Sequence, residues 1–421
     1  MSGPTTYGPP VYRGPRRIRR GVTLTLVFGA VLATGAATGS IGAHRSAYDG
    51  RPEAYGSRRA SGRPAGRPAP ARTPGGGLDT AEIARAIDEG RVGPQAAAQL
   101  VSRSGDRWSA FYTAQQYEGF QQELNGTYTG VGLWVRRAPD GVVSVSRVQS
   151  ASPAERARLR VGDLLTAIDG HPVTGLPVTE VVARLRGVDP AGPGDPQDAS
   201  APRPGSTVRL SLQRAGRSWT VCLHRAVLPT DAVTVTQPET GVTDIAVDSF
   251  VHGVGGQVRA ALDHGDHRDG VLLDLRGNSG GLVTEAVATA SAFLDGGLVA
   301  TYDVHGTEHS LYAARGAADT TTPLVVLVDG GTMSAAEMLT GALQDRGRAV
   351  VVGSRTFGKG SVQMPSTLPD GSAAELTVGH YRTPTGRAVD GVGIRPDVAV
   401  SGGQDARAEG EAVLSGLDTG P

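Results

Sequence analysis

Two residues, Ser334 and Lys359, stand 25 positions apart on glycine-flanked turns that each follow an apolar run. Ser334 lies in Leu327-Val328-Asp329-Gly330-Gly331-Thr332-Met333-Ser334-Ala335-Ala336-Glu337. Lys359 lies in Thr356-Phe357-Gly358-Lys359-Gly360-Ser361-Val362-Gln363. A serine hydroxyl is a weak nucleophile until a base removes its proton, and a desolvated lysine can be that base. The lysine must then be neutral, which calls for an apolar pocket to pull its pKa down from about 10.4. Phe357 and Val362 are the neighbours in sequence expected to wall that pocket. If the fold brings the two turns together, the chemistry is that of a Ser/Lys hydrolase.

The elements that must position these residues form a third region, from about Ala226 to Ser401. Strands are expected at Val271–Leu275, Leu324–Val328 and Ala349–Val352, and helices at Leu282–Leu294 and Ala335–Leu343. Such alternation with short connections predicts a mainly parallel α/β sheet, whose strand-to-helix turns gather at the carboxyl edge. One such turn carries Ser334 and another is Asp274-Leu275-Arg276-Gly277-Asn278-Ser279-Gly280-Gly281. A serine opening a helix gains from the positive end of its dipole. The amide of Ala335 then points at the site, and Gly280 or Gly281 can present a second amide, making an oxyanion hole. Each segment alone has a plainer reading: a serine after glycines is commonly a helix cap, and a lysine near glycines is commonly solvated. Their combination carries the argument.

The rest of the 421-residue chain divides by composition. Residues 1–20 are arginine-rich, and Gly21–Ala43 is an uncharged stretch long enough to cross a bilayer. The basic flank places the following chain outside the cytoplasm, whether this stretch is a retained anchor or a cleaved signal segment. Residues 44–77 read as a flexible linker and 78–126 as an N-terminal helical region of short amphipathic helices. Residues 127–225 read as a small β-barrel with helices at Ala154–Leu159 and Pro177–Leu185 and an irregular insertion at 189–204. Within it, Gly130–Val135 is expected to be one strand. The α/β region is bounded at 226–403, and 404–421 reads as a polar tail.

Four segments, Gly126–Val135, Arg276–Gly281, Thr332–Glu337 and Thr356–Gln363, together resemble the carboxy-terminal processing (tail-specific) proteases. The resemblance runs from about Asp106 to Val400 and includes Gly393-Ile394-Arg395-Pro396-Asp397. It implies an α/β protease core of ClpP/crotonase-like type, with Ser334 as nucleophile, Lys359 as general base and Gln363 orienting the lysine. It also implies oxyanion amides from Gly281 and Ala335. Ala336, where many members carry serine, departs from the pattern beside the dyad. Residues 127–225 resemble a PDZ domain, which implies that the loop Gly130-Val131-Gly132-Leu133 captures a substrate's C-terminal carboxylate while the peptide adds as a strand. The alternative for this region is a structural barrel covering the site. The implied partners are protein or peptide substrates with apolar C-termini and a membrane, with an oligomer or adaptor left open and no cofactor required.

Other chemistries fit less well. Gly353-Ser354-Arg355-Thr356-Phe357-Gly358-Lys359 approaches a phosphate-binding loop but continues with Gly360 where a Ser or Thr is needed. The histidines of His264–His267 and His305–His309 lie in polar stretches without HExxH spacing, so no metal site is expected. Equal counts of 41 basic and 41 acidic residues argue against a nucleic-acid partner. The single Cys222 can form no internal disulfide. The remaining rival is a catalytically inactive PDZ scaffold.

Overall fold

In the run Leu324–Val328 every position is apolar, as a strand covered on both faces requires, and all five residues are buried. This strand is inside a six-stranded sheet of the computed structural model, which describes residues 78–418 except 139, 188–202, 238–240, 266, 305, 317 and 402–403, together with Val27–Phe28. The sheet order is Val233–Thr236, Val242–Val247, Gly270–Asp274, Leu324–Val328, Val350–Gly353, Val398–Ala399, with all pairings parallel except the first. Alternate residues serve opposite faces. Val326 and Val328 join the core with helices Val254–His264, Val283–Phe293 and Ala335–Asp345. Val325 and Leu327 pack with Leu414 on the other face.

Leu414 belongs to the helix Ala406–Asp418, inside the stretch expected to be a polar tail. Leu414 is fully buried with Val413 packed beside it, and Gly410 lies so close to the sheet that a Cβ there would meet Leu272 at 2.9 Å. A helix anchored by two adjacent apolar residues and a glycine leaves little hydrophobic periodicity to read.

A second sheet is antiparallel, so the expectation of a mainly parallel core describes only the first. It contains Gly281–Leu282, Ser361–Thr367, Ala373–Arg382, Leu298–Val304 and Thr307–Tyr312, with Ala110–Tyr112 added beside Ala373–Arg382. Val27–Phe28 pair with Gly281–Leu282 and with Gln363. The rest of 21–43, the arginine-rich start, the linker 44–77 and the insertion up to residue 202 lie outside the described residues. Among the described residues no helix is long and apolar enough to cross a membrane.

Helices Thr80–Asp88 and Pro94–Arg103 bury Ile83, Ile87, Ala97 and Val101 against Leu368, Ala374 and Leu376 of the antiparallel layer. The helix Ala114–Leu124 opens on a Thr113/Gln116 capping box and packs Phe120 and Leu124 on Leu282. The barrel comprises strands Leu133–Arg137, Val143–Val148, Leu164–Ile168, Thr207–Arg214 and Arg217–His224 with helices Pro153–Arg156 and Val178–Arg186 around one core. The expected strand Gly130–Val135 is broken. Thr127–Gly130 pairs instead with Ala226–Pro229, and the chain then turns at Val131–Gly132, whose carbonyls accept from Ala154 and Gln149.

Candidate active site

Three adjacent parallel strands, Gly270–Asp274, Leu324–Val328 and Val350–Gly353, end at the same sheet edge. The chain after them supplies the glycine turn, Ser334 and Lys359 respectively, which is why distant segments of sequence meet there. The first two turns are tied together directly. Met333 N–H donates to the Asn278 carbonyl at 2.8 Å, and Asp329 Oδ1 accepts from Gly277 N at 2.9 Å and Gly331 N at 2.8 Å.

The second and third turns are joined by Glu337, which is fully buried. Its Oε2 accepts from the amides of Ser334 at 2.9 Å and Lys359 at 2.8 Å. Its Oε1 accepts from the Gly358 amide at 2.7 Å and the Thr356 hydroxyl at 2.5 Å. One carboxylate therefore sets the separation of the two candidate catalytic turns. Burial holds its pKa above the ordinary carboxylate value despite these four donors. Glu337 sits three residues after Ser334, the spacing of a capping box, so sequence spacing points to the residue but only to half of its role.

Ser334 itself has φ 59° and ψ −118°, a conformation that non-glycine residues avoid at a cost of order 1–3 kcal/mol. Its side chain is buried, and Oγ has no hydrogen-bond partner among the described residues. The hydroxyl is thus not spent as a helix cap. The Ser334 carbonyl accepts from the buried Tyr381 hydroxyl at 3.0 Å.

Lys359 has no exposed surface, and burial lowers its pKa from 10.5 to about 8 against the opposing fields of Glu375, Asp106 and Glu337. Its pocket differs from the expected one. Val362 is buried in the core, but Phe357 is 46% exposed. The aromatic wall is Trp108, whose ring lies 4.7 Å from Nζ and meets Phe357 edge-on at 5.9 Å. No local signal could have found Trp108: it lies 251 positions before Lys359 and arrives through the strand Ala110–Tyr112. Gln363 donates to Ser361 Oγ at 2.8 Å and Thr377 Oγ1 at 3.2 Å, within the strand that leaves the lysine turn.

Of the two glycines, Gly280 has φ +100°, and a Cβ on it would lie 2.9 Å from the Ser334 Cβ and 3.2 Å from the Ala335 nitrogen. Its amide is engaged by Asn278 Oδ1 at 2.8 Å. Gly281, with φ +132°, has no room for a Cβ, which would meet the Phe250 carbonyl at 2.4 Å. The Ser334 turn and Gly280 are therefore in van der Waals range, while Gly281 packs on the Phe250 backbone. The same glycines line a cleft of about 540 Å³ that is also lined by Gly130–Leu133 of the barrel. Val131 turns its side chain into the barrel core, leaving its backbone at the cleft.

Residues 241–400 match peptidase family S41 and residues 144–191 match a PDZ domain. The chain is similar to the carboxyl-terminal-processing peptidase 3, chloroplastic, of Arabidopsis thaliana, 32% identical over 323 residues that are 72% of this chain and 59% of the relative. A probable CtpA-like serine protease of Staphylococcus epidermidis is 31% identical over 310 residues, with the same coverages of 72% and 59%. The chain thus spans about three fifths of the length of these curated relatives. Among solved structures, a putative S41 protease from Bacteroides fragilis aligns with TM-score 0.50 and 18% identity over 77% of this chain and 91% of that one, a likeness of fold.

Proposed function

The chain belongs to peptidase family S41 and carries a PDZ domain, and from that membership we propose a serine endopeptidase that selects substrates by their C-termini and cleaves with Ser334 and Lys359. The observation that carries this reading is the joining of the two turns by Glu337, which accepts from the Ser334 and Lys359 amides on a single oxygen. Neutral Lys359 takes the Ser334 proton as Oγ adds to the peptide carbonyl. The carbonyl electron pair moves to oxygen, where the amides of Gly281 and Ala335 receive it. As the C–N bond breaks, the proton passes from Nζ to the leaving nitrogen, and water later releases the acyl-enzyme. Gln363 steadies the lysine turn. The unspent hydroxyl and the lowered lysine pKa favour an active enzyme over an inactive scaffold. The ClpP/crotonase-like relationship of the core, and a location outside the cytoplasm behind residues 21–43, are part of the same proposal.

The cleft shared by Gly130–Leu133 and Gly280–Gly281 gives an extended tail a path from the barrel to the glycine turn beside Ser334. A peptide ending in apolar residues with a free carboxylate is expected to be cut about 10- to 100-fold more efficiently in kcat/KM than its C-terminal amide, since charge-assisted bonds to the loop amides are lost. Equal rates would overturn tail capture at Gly130–Leu133.

The pH dependence follows from Lys359. Its folded pKa is lowered to about 8, so the neutral base accumulates as pH rises through that value. Measured kcat/KM should climb roughly tenfold per unit well below this pH and level above it. An acid limb centred near pH 6 instead would point to a histidine.

A further inference from the structure

Glu375 is a buried acid that the chemistry above does not use. It is 2% exposed, and both carboxylate oxygens are buried without a hydrogen-bond partner among the described residues. An acid in that state is costly, and in a native protein it calls for a reason. Its position supplies one. In register, Glu375 pairs with Pro365 on one side, in the strand carrying Gln363, and with Ala110 on the other, two residues beyond Trp108. Thr377, on the same face two residues along, accepts from Gln363. The two strands flanking Glu375 are thus the one that brings Trp108 to the lysine and the one that leaves the lysine turn and carries Gln363.

Four charged groups act on Lys359: Glu375, Asp106, Glu337 and Arg107, with Glu375 the largest among them. Glu337 has its charge spread over four donors, and Asp106 accepts from Trp108 N and Ser109 Oγ. Glu375 has no such donor, so its field is directed undiminished at its surroundings. Tyr112 and Tyr117, which also feel that field, are held in the neutral form by burial first and by Glu375 next. Burial raises the pKa of Glu375 to about 7, and Lys359 opposes that rise, so the acid is ionised at the pH where the lysine is a free base.

We propose that Glu375 is a positioning residue for Lys359, a buried counter-charge that stabilises the ammonium formed while Lys359 holds the proton of Ser334. The effect acts through space, and it rests on the reading of Lys359 as the general base. It strengthens the base and holds the proton until the leaving nitrogen takes it back.

The test is the pH profile of kcat and kcat/KM for wild type, Glu375→Gln and Glu375→Asp, with Lys359→Ala and Ser334→Ala alongside and thermal unfolding of each. In Glu375→Gln the acid limb is expected to move down by about one pH unit and the plateau kcat to fall about tenfold, with the melting temperature maintained. Glu375→Asp should lie between. An acid limb and plateau matching wild type in a folded Glu375→Gln, while Lys359→Ala is inactive, would overturn the counter-charge. A fall in kcat that tracks a fall in melting temperature with an unmoved limb would also overturn it, by assigning Glu375 a purely structural role. Should Glu375→Gln not fold, the limb of Glu375→Asp decides by the same criterion. Activity surviving in Lys359→Ala would instead refute the general-base reading itself.

Discussion

Lys359→Ala is expected to lower kcat for a tail-bearing peptide by at least about a thousandfold, because the variant removes the proposed base. Lys359→Arg should be equally inactive, since a guanidinium stays protonated and cannot accept the Ser334 proton. Binding of a non-cleavable tail peptide, measured by fluorescence anisotropy, should be unchanged in both, because Gly130–Leu133 line the cleft and Lys359 does not. Loss of fold is not the expected cause. The folded pKa of Lys359 is lowered from 10.5 to about 8, so burying this group disfavours the native state below about pH 8 and ceases to do so above 10.5. Alanine relieves that penalty at neutral pH while removing packing beside Trp108. Retention of more than about a tenth of wild-type kcat in Lys359→Ala would refute the dyad.

The second large effect is expected at Glu337. Glu337→Gln keeps the shape but turns an NH2 group toward donors that now meet no acceptor. With four donors converging on the carboxylate, stability should fall by about 2–4 kcal/mol. Activity should fall further than stability explains. The Ser334 and Lys359 amides share one oxygen, and a displacement of about 1 Å between reacting groups can cost on the order of a hundredfold. The signature is a reduced kcat with KM retained, measured well below the melting temperature. A variant with wild-type kcat and unfolding midpoint would show that the turns are aligned by other contacts.

The two turns show how unevenly the site could be read from sequence. Leu324–Val328 was legible because a parallel strand covered on both faces must be continuously apolar, and its bounds agree with the observed strand. The helix after Ser334 was legible from the glycine pair that ends the strand before it. The antiparallel sheet was not. Its strand Ser361–Thr367 contains Pro365 and alternates weakly, and Ala373–Arg382 includes the buried Glu375, so neither shows a clean period of two. The break at Val131–Gly132 was likewise hidden, because the residues on both sides have strand character and only the partner strand Ala226–Pro229 separates them.

By itself the sequence determined the chemical types: a serine at a helix start, a lysine on a glycine turn, a glycine pair that leaves room for backbone amides, and a glycine-bearing loop in a small barrel. These follow from local rules, since turn geometry, helix dipoles and missing Cβ atoms act over a few residues. Only the tertiary structure decided what surrounds them. Trp108 against the lysine, Glu337 between the two turns and the buried Glu375 are brought in by strand pairing and burial. The Lys359 pKa is lowered because long-range packing removes its water, and desolvation is a property of the folded interior that no local stretch of residues carries.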